Sequence, residues 1–180
     1  MTTANKITIL RIILVPVFMV LLLAGFHLAA LIVFILAAAS DAVDGYIARH
    51  YNQISNFGKF MDPLADKMLT TAALIILCEQ GRITLGSVAI MLILSREFIV
   101  SGLRMLAGSQ GKVIAASMFG KIKTVAQMIA IVVSLLLMNE AWFDNGMALI
   151  VTDILVWLST VITVISGIDY VWKNKSVFTE

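Results

Sequence analysis

The feature that most constrains this chain is a succession of long apolar runs that leaves little room for anything else. Of its 180 residues, 61% are hydrophobic and only 13% are charged. A helix needs about 20 mostly apolar residues to cross a bilayer. The sequence therefore predicts an all-α integral membrane protein, a bundle of six transmembrane helices over residues 8–25, 28–49, 61–79, 84–107, 115–138 and 147–172.

Short polar connections between these runs predict a single membrane domain over residues 1–180. The first run has no small-residue cleavage site and the second follows almost at once, so we expect a retained helix rather than a secretory signal. The formal net charge of +2, without a basic run, argues against a nucleic-acid partner. The one cysteine, Cys78, lies in an apolar run and is expected to be a small buried hydrophobe.

Lysine and arginine residues crowd near alternate ends of the predicted helices. The positive-inside rule places such ends in the cytoplasm. We therefore expect both termini, and the loops after the second and fourth helices, on the cytoplasmic side, with a polar cavity open to that side. The basic residues at these ends are Lys6, Arg11, Arg49, Lys59, Arg104, Lys112, Lys121, Lys123, Lys173 and Lys175, whereas the opposite ends carry only Arg82.

Four aspartates stand at the junction of the second and third helices. Asp41 and Asp44 are three residues apart, and Asp62 and Asp66 are four apart, so each pair lies on one helix face. The loop between the two helices makes them antiparallel neighbours. We therefore expect all four carboxylates at one depth, near the cytoplasmic surface.

Four carboxylates in one membrane pocket need a cation to neutralise them. A single carboxylate near the bilayer centre already costs about 2.5 to 3.5 kcal/mol on insertion scales, and like charges raise that cost. Oxygen ligands without histidine or cysteine favour Mg²⁺, Mn²⁺ or Ca²⁺ over zinc. Two ions roughly 3.5 to 4 Å apart are a common device for displacement at phosphorus, so the pattern indicates phosphoryl chemistry.

An alternative interpretation treats the aspartates as helix-end charges paired with Arg49, Lys59 and Lys67. Asp62 followed by Pro63 is typical of an N-cap followed by a first-turn proline. Capping accounts for Asp62 alone, so the metal interpretation explains more of the pattern.

At these residues the sequence resembles the CDP-alcohol phosphotransferase family, whose signature is D-x2-D-G-x2-A-R-x8-G-x3-D-x3-D. Every spacing of that signature is met. The matching positions are Asp41, Asp44, Gly45, Ala48, Arg49, Gly58, Asp62 and Asp66.

The resemblance implies a role for most of these positions. Asp41, Asp44 and Asp62 would hold metal, while Asp66 would contact the metal site and act as general base. From the carboxylate chemistry we expect Mg²⁺ or Mn²⁺, with two ions per site. Gly45 and Ala48 would accommodate the nucleotide of a CDP-linked lipid. Arg49 would lie near its phosphates. The resemblance also implies a homodimer with a separate active site in each subunit.

Three further stretches resemble the bacterial members of the family that join CDP-diacylglycerol to sn-glycerol 3-phosphate, which would give phosphatidylglycerophosphate and CMP at the cytoplasmic membrane. They cover residues 5–11, 96–104 and 120–124. Four cations in or beside the fourth and fifth helices point the same way, since together they could bind a doubly charged phosphate. These candidate ligands of the acceptor phosphate are Arg96, Arg104, Lys121 and Lys123.

Other interpretations of the cations stay open. Lys121 and Lys123 would also satisfy the positive-inside rule or bind anionic lipid headgroups. Arg96, with Glu97 beside it and apolar residues around it, could form a buried ion pair.

Asn5, Thr8 and Arg11 fall three apart, on one face of the first helix. The resemblance implies that this face contributes to nucleotide binding. The alternative is an interfacial anchor in which Thr8 caps the helix. In the tail, Tyr170 and Trp172 are expected to be aromatic residues at the membrane interface.

Rival functions differ in the acceptor or in the class of protein. Inositol phosphate, serine or phosphatidylglycerol could replace glycerol 3-phosphate, although the cationic cluster favours an acceptor that carries phosphate. A cation transporter is the rival from another class. It should show carboxylates along a transmembrane route or in related halves, whereas these four cluster at one end.

Overall fold

The computed structural model describes the backbone of residues 3–50, 56–111, 114–115, 117–139 and 144–177, and leaves the side chains of residues 3–6, 41–50, 56–60, 62, 63, 66 and 176 outside the description. All regular elements of the described chain are helices, which confirms the all-α prediction for that part. Its elements are α1 (Thr3–Leu23), α2 (His27–His50), α3 (Asn56–Glu79), α4 (Gly86–Ser109), α5 (Met118–Leu137), α6 (Asn145–Lys173) and a short 3₁₀ helix (Lys175–Val177).

Local chemistry fixes several of the helix ends. Gly25 and Gly81 have φ angles of 82° and 68° just after α1 and α3, a left-handed conformation that favours glycine and ends a helix. Ser117 caps α5 by accepting a hydrogen bond of 3.0 Å from the backbone N–H of Gly120. Asp144 caps α6 in the same way.

The six predicted helices are present, but α3 begins earlier than predicted. It starts at Asn56 instead of near Met61, so Asp62 lies inside the helix. The interpretation of Asp62 as an N-cap is therefore wrong, because a cap residue lies at the helix boundary. The polar stretch predicted as a loop from His50 to Lys59 is also shorter, since both of its ends are helical.

The described part of the bundle has one main core, to which α2 and α3 contribute the most buried residues. α1 packs against both α2 and α3, and the rings of Phe18 and Phe34 meet with centroids 5.6 Å apart in a tilted arrangement. Both rings are fully buried. α6 packs against α4 and α5, and α5 completes the core through Ile131 and Leu135.

The inner face of α6 is lined by small hydroxyl side chains. Thr160 and Thr163 are buried and donate hydrogen bonds of 2.8 and 2.7 Å to the carbonyls of Val156 and Ser159 on the same helix. Each hydroxyl is thereby satisfied within its own helix. Small residues of this kind let membrane helices approach closely.

Among the described residues, α4, α5 and α6 are long and apolar enough to cross a membrane, as judged by length and composition. Two shorter described apolar segments cover Ile7–Leu23 and His27–Ser40. Large apolar side chains are widely exposed on the outside of the bundle, as at Met105, which is 77% exposed. Such a surface fits a membrane protein, because apolar patches of this extent are rare on soluble monomers.

Candidate active site

The four aspartates of the signature fall at the junction of α2 and α3. Asp41 and Asp44 belong to the last turns of α2, and Asp62 and Asp66 to the first half of α3. Their side chains lie outside the described residues, so the predicted convergence of the four carboxylates stays a prediction.

Of the predicted nucleotide-binding residues, Asn5, Ala48 and Arg49 also have side chains outside the description, and the surroundings of Gly45 lie outside it too. Among the side chains that are described, no group of three or more histidine, cysteine, aspartate or glutamate residues is placed to hold a metal ion. The prediction of a metal site therefore rests on the four aspartates alone. The carboxylates of the aspartates suit a divalent metal ion, because Mg²⁺ and Mn²⁺ prefer oxygen ligands.

The face of α1 that carries Thr8 and Arg11 is buried against α2. Each residue is only 1% exposed, and Arg11 Nε donates a hydrogen bond of 3.3 Å to Ser40 Oγ. Thr8 lies inside α1 and cannot be its N-cap, and a buried Arg11 does not fit an interfacial anchor. Ser40 immediately precedes Asp41, so a buried cation approaches the chain beside the first aspartate.

Glu97, near the middle of α4, lies at the centre of a cluster of cations. Its carboxylate accepts a hydrogen bond from Lys123 and forms ion pairs with Arg96 at 3.2 Å and with Lys67 at 3.8 Å. These cations come from α5, α4 and α3. The side chains of Arg96 and Lys123 are only 10% and 8% exposed, so the structure brings two predicted acceptor ligands together in a largely buried place. It also contains the ion pair that the alternative interpretation of Arg96 expects.

Hydroxyl groups hold two of these cations from the other side. Arg96 Nη2 donates a hydrogen bond of 2.8 Å to Ser166 Oγ on α6, and Lys67 Nζ donates one to Ser101 Oγ on α4. Arg96 passes close to Gly167, where the methyl group of an alanine would come within 2.7 Å of Arg96 Cγ. Only glycine leaves room for the arginine in this position.

The other two predicted acceptor ligands lie apart from Glu97. Lys121 is exposed on α5, while Lys123, two residues further on, is buried, because residues two apart on a helix face different ways. Arg104 lies two turns beyond Arg96 and donates a hydrogen bond of 3.1 Å to the hydroxyl of Tyr170.

Tyr170 corrects one expectation, since it is buried at 1% exposure and is not an aromatic residue of the membrane interface. Its ring also lies under the Arg104 guanidinium, with the carbon Cζ 5.5 Å from the ring centre. Trp172, by contrast, is 72% exposed.

Sequence reasoning missed Glu97, Lys67 and Ser101 as members of one cluster. A glutamate halfway along an apolar helix was the available signal, because ionisable residues inside membrane segments are costly and are usually paired or functional. From the sequence alone, Lys67 is expected only as a partner of the aspartates. Its approach to α4 depends on how α3 and α4 pack, which sequence spacing does not reveal.

An apolar groove of about 440 Å³ lies between α4 and α6, next to this cluster. Ile99, Val164 and Ile168 contribute to its walls, and Arg96 lies along it. An apolar chain in the groove would therefore run close to a cation of the cluster.

Comparison with known proteins places the chain in a family. Residues 1–165 match the CDP-alcohol phosphatidyltransferase family, and the chain belongs to it. This confirms the resemblance carried by the aspartate signature.

Individual relatives are similar over nearly their full length. The chain is 45% identical to the CDP-diacylglycerol–glycerol-3-phosphate 3-phosphatidyltransferase of Bacillus subtilis, over 94% of this chain and 93% of the relative. It is 36% identical to the protein of the same name from Rickettsia typhi, over 97% of each chain. The Haemophilus influenzae protein of that name is 34% identical, over 94% of this chain and 91% of the relative.

Proposed function

We propose that this protein transfers the phosphatidyl group of CDP-diacylglycerol to sn-glycerol 3-phosphate, giving phosphatidylglycerophosphate and CMP. The observation that carries the proposal is the 45% identity, over 94% of the chain, to a Bacillus subtilis protein named for that reaction. The cationic cluster around Glu97 is consistent with an acceptor that carries a phosphate. The product is a precursor of an anionic phospholipid, so the enzyme would act in phospholipid synthesis.

We assign the chemistry of the reaction to the junction of α2 and α3. Asp41, Asp44, Asp62 and Asp66 would hold divalent metal, Mg²⁺ or Mn²⁺ and two ions per site, and a divalent-metal requirement is general in this family. The metal would neutralise the pyrophosphate and polarise the phosphorus that is attacked. Asp66 would accept the proton of the acceptor hydroxyl, a role that needs a carboxylate within hydrogen-bond reach of that group.

The substrates would be held by side chains on either side of the aspartates. On the donor side, Gly45 and Ala48 would leave room for the cytidine nucleotide, with Arg49, Asn5 and Thr8 around it. On the acceptor side, the phosphate would be bound by cations of α4 and α5, among them Arg96, Arg104, Lys121 and Lys123. Thr8 is buried and Arg96 belongs to the Glu97 cluster, so both are held in place before substrate arrives.

We further propose how the molecule lies in the membrane. All six helices would cross the cytoplasmic membrane of a bacterium as one domain over residues 1–180, with both termini and the site on the cytoplasmic side. The lipid donor would enter sideways and glycerol 3-phosphate would arrive from water. Two subunits would form a homodimer, each with its own site.

The test is CMP release by the purified protein in detergent with CDP-diacylglycerol, Mg²⁺ and one acceptor at a time. We expect release with glycerol 3-phosphate and none with serine or inositol phosphate. Asp66→Asn should lower the rate by about 10² to 10⁴, the usual contribution of a positioned general base. Removal of metal with EDTA should abolish release, and added Mg²⁺ should restore it.

Asp169→Asn is the matched control, because Asp169 is a carboxylate paired with Lys173 on the outer part of α6 and should leave the rate unchanged. Release with a different acceptor alone would contradict the assignment of glycerol 3-phosphate. A fully active Asp66→Asn variant would remove the general base from the proposal.

A further inference from the structure

We propose that Glu97 is a positioning residue for the acceptor phosphate, and that Lys67 is a further cation of the same pocket. The carboxylate of Glu97 would hold Lys67, Arg96 and Lys123 in one array that the phosphate of the acceptor then meets. The inference rests on the proposed function, since it concerns the substrate of that reaction.

The first argument is the origin of the three cations. Lys67 lies on α3, Arg96 on α4 and Lys123 on α5, and all three approach the same carboxylate. Three positive charges brought together in a largely buried place repel one another unless an anion lies between them. Glu97 supplies that anion and so fixes how far apart the cations lie.

The second argument is that two of the cations are fixed at two points. Lys67 donates to Ser101 as well as contacting Glu97, and Arg96 donates to Ser166 as well as to Glu97. A long side chain held at two points loses little further rotamer freedom when a ligand binds. The array is therefore ordered in advance.

The third argument is that the cluster has N–H donors and positive charge available to a ligand. An arginine has five N–H donors and a lysine three. Arg96 Nε is buried and has no hydrogen-bond partner among the described residues. Counting the described side chains alone, three cations face one carboxylate, so positive charge is left over, and a phosphate dianion is of the sign that would balance it.

Glu97→Gln tests the inference, because it keeps the size of the side chain and removes its charge. We expect KM for glycerol 3-phosphate to rise by about tenfold or more, the equivalent of losing one charge-assisted hydrogen bond. KM for CDP-diacylglycerol should stay within roughly twofold, since the donor does not depend on this array. A glutamate that served only to stabilise the fold would not change the two KM values selectively.

Three further variants complete the test. Glu97→Asp keeps the charge and should recover part of the lost affinity for glycerol 3-phosphate. Lys67→Gln should raise the same KM, and the double variant with Glu97→Gln should be less than additive, because both changes damage one array. Asp169→Asn is again the control, since it removes the carboxylate of a surface ion pair on α6.

The possible failures are distinguishable. If the unaltered protein does not turn over glycerol 3-phosphate, the proposed function is wrong. If it does, but Glu97→Gln leaves both KM values unchanged or raises both equally, the proposed function stands and the role of Glu97 is overturned. If Glu97→Gln does not fold, Lys67→Gln decides: a selective rise in KM for glycerol 3-phosphate supports the array, and no selective rise refutes it.

Discussion

Gly167 lies where α6 passes closest to the stem of Arg96. A methyl group there would come within 2.7 Å of Arg96 Cγ and 3.6 Å of its Cβ. The arginine would have to move, and with it the hydrogen bond to Ser166 and the ion pair with Glu97. The glycine is therefore a packing requirement of the cationic cluster, although nothing in the local sequence marks it as one.

Gly167→Ala should destabilise the protein by about 1 to 3 kcal/mol, the usual cost of forcing an extra carbon into a packed site. Thermal unfolding in detergent would measure this. Gly102→Ala is the matched control, because Gly102 is also inside a helix but has open space where the methyl group would go. That variant should be stabilised by about 0.4 to 1 kcal/mol, since alanine restricts the unfolded chain. Equal effects of the two substitutions would contradict the packing argument.

Helix α6 forms hydrogen bonds at both ends of α4. At one end, Thr84 in the loop before α4 donates its backbone N–H to Asp153 and accepts a hydrogen bond from the Trp157 indole. At the other end, Arg104 donates a hydrogen bond to the hydroxyl of Tyr170. α4 is thereby held along its length, which keeps Glu97 and Arg96 at a fixed height relative to α6.

Tyr170→Phe should lower the free energy of unfolding by about 0.5 to 1.5 kcal/mol, because it removes one hydrogen bond and keeps the buried ring. Trp172→Phe, two residues away at an exposed position, should change stability by less than about 0.5 kcal/mol. Chemical or thermal unfolding of both variants in the same detergent would test this. A Tyr170→Phe variant as stable as the unaltered protein would show that the bond to Arg104 contributes nothing.

At the scale of the whole molecule, the arrangement of basic residues predicts the orientation in the membrane. The end of α4 and the start of α6 are expected on opposite sides of the membrane. Ser109 at the end of α4 should face the cytoplasm, and Met147 at the start of α6 should face outward. Both residues are exposed. The chain has a single cysteine, so reporter positions can be introduced without interference once Cys78 is replaced.

In a Cys78→Ala background, Met147→Cys should react with a membrane-impermeant maleimide in intact cells. Ser109→Cys should react only after the cells are opened. The cysteine-free background is the control for unspecific labelling. The reverse pattern would invert the proposed topology and place the cationic cluster on the wrong side for a cytoplasmic acceptor.

Some features of the fold and of the candidate site can be predicted from the sequence, and others cannot. The six helices and the aspartate signature follow from local information: apolar runs of membrane length, and carboxylates three or four residues apart. The family assignment from that signature is confirmed by the match over residues 1–165. The sequence predicts that Arg96, Lys123, Arg104 and Lys121 are cations of one candidate site. It does not reveal that the first two meet at Glu97 while the other two lie apart from it.

What the sequence by itself determined was the helical class of the chain, its family and the residue types of the candidate site, because periodicity and motif spacing act within one or two neighbouring helices. Only the tertiary structure decided that Lys67, Arg96 and Lys123 meet at Glu97, that Gly167 makes room for Arg96, and that Tyr170 is buried under Arg104. Apart from the neighbours Arg96 and Glu97, these contacts join residues 26 to 71 positions apart. They depend on how the helices rotate and pack against one another, which no local pattern encodes.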